Sequence, residues 1–225
     1  MRRPSLIEVP RAMRHNRLSR VIPATGPEVS LDVLLVVAID ASGSLSEERL
    51  MLQREGHARA LRSPAFLEAV STGLHGRVGI TAVEWSHRQD QILPWAVIED
   101  AGSAAQFAEA LMRAPRPMPG YTAIGAAIDF SVDLLARAPH AAARRIIDIS
   151  GNGPNNDGRS AAEARDDAVA AGVTVNGLPI LDAHRNLDAY FAQSVIGGPR
   201  AFMVVARDAA SFSQAILRKL VAEIA

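Results

Sequence analysis

Residues 31–46 read LDVLLVVAIDASGSLS, from Leu31 to Ser46. The stretch opens as a nearly unbroken apolar run and ends in an acidic, hydroxyl-rich turn, Asp40-Ala41-Ser42-Gly43-Ser44. An apolar run bounded by Gly and Ser predicts a strand buried on both faces, the central strand of a parallel sheet. The turn places a carboxylate and two hydroxyls at alternate positions, with Gly43 between the hydroxyls to allow a tight bend. Oxygen-only donors at the carboxyl end of a central strand suit a hard divalent cation such as Mg²⁺.

Outward from this strand, the chain alternates. Ser46-Glu47-Glu48 predicts an N-cap and first-turn acids of a helix running to about Arg62, and Ser63-Pro64 opens a second, short helix that ends near Gly73. Gly76 to Trp85 reads as a strand, and the polar break Ser86 to Asp90 joins it to another, Gln91 to Ile98. So short a connection permits only an antiparallel hairpin, and Pro94 places the later strand at the sheet edge. Trp85 and Trp95 are expected to pack within this hairpin. Ser103 to Arg113 predicts an amphipathic helix, the loop Ala114 to Gly120 is rich in proline, and Ala123 to about Ala138 predicts another helix. Ile146 to Ser150 is a strand, followed by the turn-rich segment Gly151 to Gly158. Beyond it come a helix Ser160 to Ala171 with Gly172 as its C′ residue, a strand Val173 to Ile180, a helix Leu187 to Ile196, a last strand Ala201 to Val205 and a closing helix Ala209 to Ala225. The expected fold is α/β: a doubly wound, mostly parallel sheet with one antiparallel edge strand and helices on both faces.

The 225 residues suffice for one such domain, and 48% hydrophobic with 21% charged residues is a globular composition. Zero net charge offers no field for nucleic acid. The charge is unevenly spread: six arginines precede residue 29 against Glu8 and Glu28, leaving 18 basic and 22 acidic residues beyond. We expect a flexible basic arm over 1–28 and one domain over 29–225. The absence of cysteine excludes disulfides, zinc–thiolate sites and thiol nucleophiles. No segment reaches the roughly 18 apolar residues of a membrane span. The N-terminus starts basic, yet no apolar h-region follows, so the expectation from these residues is a cytoplasmic protein without an export signal.

Three loops carry small polar residues: Asp40-x-Ser42-x-Ser44, Gly120-Tyr121-Thr122, and Gly151 to Gly158. If the strands they follow are neighbours at a switch point, the loops meet in one crevice. Asp-x-Ser-x-Ser after a hydrophobic first strand, with Thr122 before a helix, resembles the metal-ion-dependent adhesion site of von Willebrand factor type A domains. From Leu31 onward the chain is similar to a bacterial branch of that superfamily without known function, on LQREGHARALR (Leu52 to Arg62), VEWS with Pro94-Trp95, RRIIDISGNGPNN (Arg144 to Asn156) and VIGGPRAF (Val195 to Phe202). The resemblance implies that Ser42, Ser44 and Thr122 give hydroxyl oxygens to Mg²⁺, Mn²⁺ or Ca²⁺, with Asp40 acting through water or by orienting them. It implies a protein partner that presents an acidic side chain to the metal, and it leaves a periplasmic or secreted home open. The departure is Asn152, where the family pattern has Asp. Asn152 offers a carbonyl oxygen without charge, which weakens metal affinity, and Asp157 is a candidate to compensate. Asp148, inside its strand, is expected to be a hydrogen-bonded structural acid.

Enzymatic readings find little support. An aspartyl nucleophile needs a second acid where Ser42 stands, no phosphate-binding Gly-rich loop with Lys exists, and Gly-x-Ser-x-Gly is absent. A Mg²⁺-dependent hydrolase is therefore the remote alternative. The six histidines are scattered and expected at surface or helix-end positions. The nearer alternative is a metal-free scaffold of the same fold, in which Asp40 and Ser44 only tie loops together.

Overall fold

The computed structural model describes residues 30–116, 118–182 and 184–225, so the arm expected over 1–28 lies outside the described residues. Strand β1 (Ser30–Asp40) sits at the centre of a five-stranded sheet ordered β3-β2-β1-β4-β5, with β2 (Val78–Trp85), β3 (Gln89–Ile98), β4 (Ala141–Gly151) and β5 (Thr174–Pro179). β1 pairs in parallel with β2 on one side and β4 on the other, β4 pairs in parallel with β5, and only β2–β3 is antiparallel. Its register is irregular between Ile80 and Val83, and neither Pro94 nor Trp95 has a partner in it, as expected for a proline that cannot donate to the ladder.

Alternation along β1 divides the core. Val33, Leu35, Val37 and Ile39 face one layer, and Leu34, Val36 and Ala38 the other, which is why the run has no polar phase. The first layer consists of α1 (Glu47–Leu61), α2 (Pro64–Ser71), α3 (Ala101–Arg113) and α7 (Ala209–Ile224). The second consists of α4 (Ile124–Ala136), α5 (Ala161–Ala170), α6 (Leu187–Tyr190) and a π-helical turn, Phe191–Val195, that continues it. The chain leaves β1 toward one face and β4 toward the other, so the two strand ends open a crevice between them.

Helix starts follow capping chemistry. Ser46 and Ser63 cap α1 and α2 as expected, whereas α3 starts earlier than the apolar pattern indicates, because Asp100 and Ser103 form a capping box. Two elements differ further. β4 begins at Ala141, five residues before the strongly apolar Ile146, because Ser30 and Leu31 of β1 give its weakly apolar start a partner. The segment Ala201 to Val205 is no strand: Gly177↔Met203 and Ile180↔Ala206 are isolated bridges alongside β5. Trp85 is fully buried and Trp95 packs against the second layer, as expected.

Candidate metal centre

At the carboxyl ends of β1 and β4 the first and third loops meet. Asp40 is fully buried; its Oδ1 accepts from Ser42 N at 2.7 Å, and its Oδ2 accepts from Asn152 N at 3.1 Å. Ser42 Oγ lies 3.1 Å from Ser44 Oγ, and Ser44 Oγ donates to Asn152 Oδ1 at 2.9 Å. Four of the five candidate ligands therefore lie in one hydrogen-bonded cluster. The fifth, Thr122, lines the same open depression of about 470 Å³ as Ser44, together with Gly120, Tyr121 and Asn156.

Backbone ties fix the loops against one another. Gly43 N donates to Gly120 O at 2.7 Å, joining the first loop to the second. Asn156 Oδ1 accepts from Thr122 N at 2.8 Å, and Asn155 Oδ1 accepts from Gly125 N at 3.1 Å. The N-cap Ala123 gives α4 no side-chain cap, so Asn155 of the third loop satisfies one of its free N–H groups, that of Gly125. Gly125 permits this docking, since a Cβ there would stand 2.4 Å from Arg159 O. Within the loop, Asp157 O accepts from Asn155 Nδ2 at 3.1 Å, and Asn156 reaches the second loop.

The electrostatics set Asp40 apart. Burial pushes its carboxyl up to about 6, against the hydrogen bonds from Ser42 and Asn152 that favour the charged form. The space beside its Oδ2, at the Cβ position of Gly151, is also bounded by Trp85 and Phe191. Among the described residues no lysine, arginine or histidine forms a salt bridge with Asp40. A desolvated carboxylate without a cationic side chain, beside two hydroxyls and an amide oxygen, is a donor set that fits a hard divalent cation. Among the described residues no group of three His, Cys, Asp or Glu converges, and that is the expected outcome for a site built on hydroxyl and amide oxygens.

Several polar residues behind the site were not legible as functional. Gln53 of α1 donates to Asp40 O at 3.0 Å and accepts from Ser150 Oγ at 3.1 Å, so it pins the strand end from below. Arg54 pairs with Glu84 through two hydrogen bonds of 2.6 and 2.7 Å, both side chains being almost fully buried. The same guanidinium donates to Ala114 O and Pro115 O, and so anchors the start of the proline-rich loop that leads to Thr122. Their only sequence signal is a polar residue in apolar phase. His57 is a correction: it is buried within α1, with Nδ1 2.8 Å from Gln53 O, rather than at a surface or helix end, and burial holds its pKa down. Asp148 is the structural acid expected, 2.5 Å from Lys219 Nζ.

Comparison with known proteins identifies the family and the fold. Residues 30–225 match the family described as protein of unknown function (DUF1194). No curated protein matches the sequence. Among solved structures, a von Willebrand factor type A protein from Catenulispora acidiphila superposes with a TM-score of 0.63 at 16% identity, over 86% of this chain and 43% of that one. The pilus adhesin SpaC from Lactobacillus rhamnosus GG gives 0.61 at 14% identity, over 86% of this chain and 31% of that one. Proximal thread matrix protein 1 from the mussel byssus, solved with a zinc-occupied MIDAS motif, gives 0.57 at 14% identity, over 86% and 47%. This chain thus spans less than half the length of each of the three, and the likeness is one of fold.

Proposed function

The chain belongs to the DUF1194 family of unknown function and has the von Willebrand factor A fold, and from that premise we propose that it is a protein-recognition module that works through a divalent cation. Asp40, Ser42, Ser44, Thr122 and Asn152 would hold Mg²⁺ or Mn²⁺ at the carboxyl edge of the sheet. A cation bound there supplies a point of positive charge that takes an acidic side chain of the partner protein. The observation that carries this reading is Asp40: a fully buried carboxylate left without a cationic partner among the described residues, next to hydroxyls that open to solvent at Ser44.

The surroundings support recognition over catalysis. Tyr121 and Met118, both about two-thirds exposed, lie on the loop that edges the depression, and Arg116 lines it. These present an apolar and cationic rim to a partner. Among the described residues no helix is long and apolar enough to cross a membrane. An extracytoplasmic setting is consistent with the reading, since SpaC is a pilus adhesin and the mussel protein belongs to the byssus.

Mg²⁺ or Mn²⁺ should raise the melting temperature of the parent protein, by about 2.7 kcal/mol of added stability when the free metal is a hundred times Kd. Asp40→Ala should lose that response, and EDTA should abolish partner capture by the parent. Melting indifferent to metal, together with EDTA-insensitive capture, would overturn the cation and leave the metal-free scaffold.

A further inference from the structure

The opposite end of the sheet carries a second polar site. The start of RRIIDIS, Arg144 to Ile146, and the end of VIGGPRAF, Pro199 to Phe202, far apart in sequence and outside the proposed metal centre, meet there with the end of α7. They enclose a cavity of about 390 Å³ whose lining includes Arg144, Arg145, Thr174, Arg200, Phe202 and Glu223.

Three guanidinium groups line this cavity, and among the described residues none of them forms a salt bridge with a carboxylate side chain. Arg145 is oriented by a backbone carbonyl instead, donating to Ala171 O at 2.5 Å, and Arg144 donates to Ala225 O at 3.2 Å and also to Ile224 O. Burial and the neighbouring Arg200 charge hold the Arg144 pKa down, against the opposing pull of Asp32. Arg200 is itself unusual. Its φ of 60° lies in the left-handed region, which four glycines otherwise occupy among the described residues. An arginine kept where glycine would be easier suggests a use for its side chain. At the floor, Glu223 is 1% exposed; its Oε1 receives Asn176 Nδ2 at 3.1 Å as well as Lys219, while its Oε2 is buried without a hydrogen-bond partner.

We propose that this cavity binds a small organic anion bearing a phosphate or carboxylate group, with Arg144, Arg145 and Arg200 as its receptor. Guanidinium forks suit the planar or tetrahedral oxygen pairs of such groups. The volume is of small-molecule size, and Phe202 and Ala222 supply an apolar wall for the ligand's carbon part. Glu223 opposes the anion little: Lys219 lies on its Oε1, and burial and Asp148 raise its carboxyl to about 8, which reduces its negative charge.

The test uses the intact chain in EDTA, with pyrophosphate and citrate as probes and sodium chloride at matched ionic strength as control. A saturable rise in melting temperature is expected with at least one probe; pyrophosphate alone identifies a phosphate-bearing ligand and citrate alone a carboxylate-bearing one. Arg200→Gly should remain folded, because glycine accepts the left-handed backbone, yet should bind roughly tenfold more weakly, as should Arg145→Gln. Asp40→Ala should bind as the parent does, which separates this site from the metal centre. A rise matched by sodium chloride, or one undiminished in both arginine variants, would overturn the proposal.

Discussion

Two buried carboxylate clusters sit on β4 and its neighbours, and they are completed in opposite ways. Below, Asp148 and Glu223 share Lys219, the protein's only lysine, which also lies 5.7 Å from the Phe202 ring centroid. Above, Asp40 has two backbone N–H groups and a serine hydroxyl, but no cationic side chain among the described residues. Burying a carboxylate is costly unless a cation accompanies it. Where the fold uses charge for its own cohesion, the chain provides that cation; at Asp40 it provides none among the described residues, and the proposed divalent cation would supply it. The contrast is sharper because Arg54 and Glu84, a third buried pair, again show the chain supplying both signs when the purpose is to hold a loop.

The largest expected effect breaks the lower cluster. Lys219→Met leaves Asp148 and Glu223 buried without a cation and should lower stability by about 3–5 kcal/mol in urea unfolding. Adding Asp148→Asn and Glu223→Gln should return most of the loss. Asp40→Asn in EDTA should cost less, about 1–2 kcal/mol, because it removes a buried charge but leaves one of the two backbone N–H groups, of Ser42 or Asn152, facing an amide NH2 that cannot accept. An equal loss at both clusters would erase the distinction.

A smaller effect is read from pH. In EDTA the folded protein keeps the Glu223 proton up to about 8, whereas the unfolded chain releases it near its ordinary 4.5. Between those values the native state binds more protons, so stability falls as pH rises, by at most about 1.4 kcal/mol per pH unit for one group. Asp40 adds the same sign between 3.8 and about 6. Glu223→Gln should flatten the profile above the Asp40 range, whereas Mg²⁺ should flatten only the lower part by stabilising ionised Asp40. Urea midpoints across this range decide it: a profile that Glu223→Gln leaves unchanged would refute the assignment.

The smallest effect sharpens the upper site. Asn152→Asp places a second carboxylate beside Asp40 and should tighten Mg²⁺ binding about tenfold, roughly 1.4 kcal/mol, in calorimetry. In EDTA the same variant should be less stable than the parent, since two carboxylates then repel. Unchanged affinity would remove Asn152 from the ligand set.

Much of the fold was legible because its signals are local. The apolar run of β1 dictates burial on both faces, the short Ser86–Arg88 connection dictates an antiparallel hairpin, and Ser46 and Ser63 announce their helices. The start of β4 and the segment Ala201 to Val205 were not, because whether a weakly apolar stretch becomes a strand depends on whether a neighbour lends its backbone. Ala141 to Arg145 has β1 beside it, whereas 201–205 meets β5 at one isolated bridge, Gly177↔Met203, and through the Asn176 side chain.

The candidate site divides in the same way. The amino-acid order alone placed Asp40, Ser42 and Ser44 on one turn and singled out Thr122 and Asn152 as their companions. Tertiary structure decided what a one-dimensional reading has no access to: that Asn152 meets Ser44 and Asp40, that Asn156 holds Thr122, and that Lys219 serves Asp148 and Glu223 while, among the described residues, no cationic side chain does the same for Asp40. The reason is physical. Strand and helix follow from the spacing of near neighbours, but the charge state of a buried carboxylate depends on which residues from distant segments the packing brings within a few ångströms.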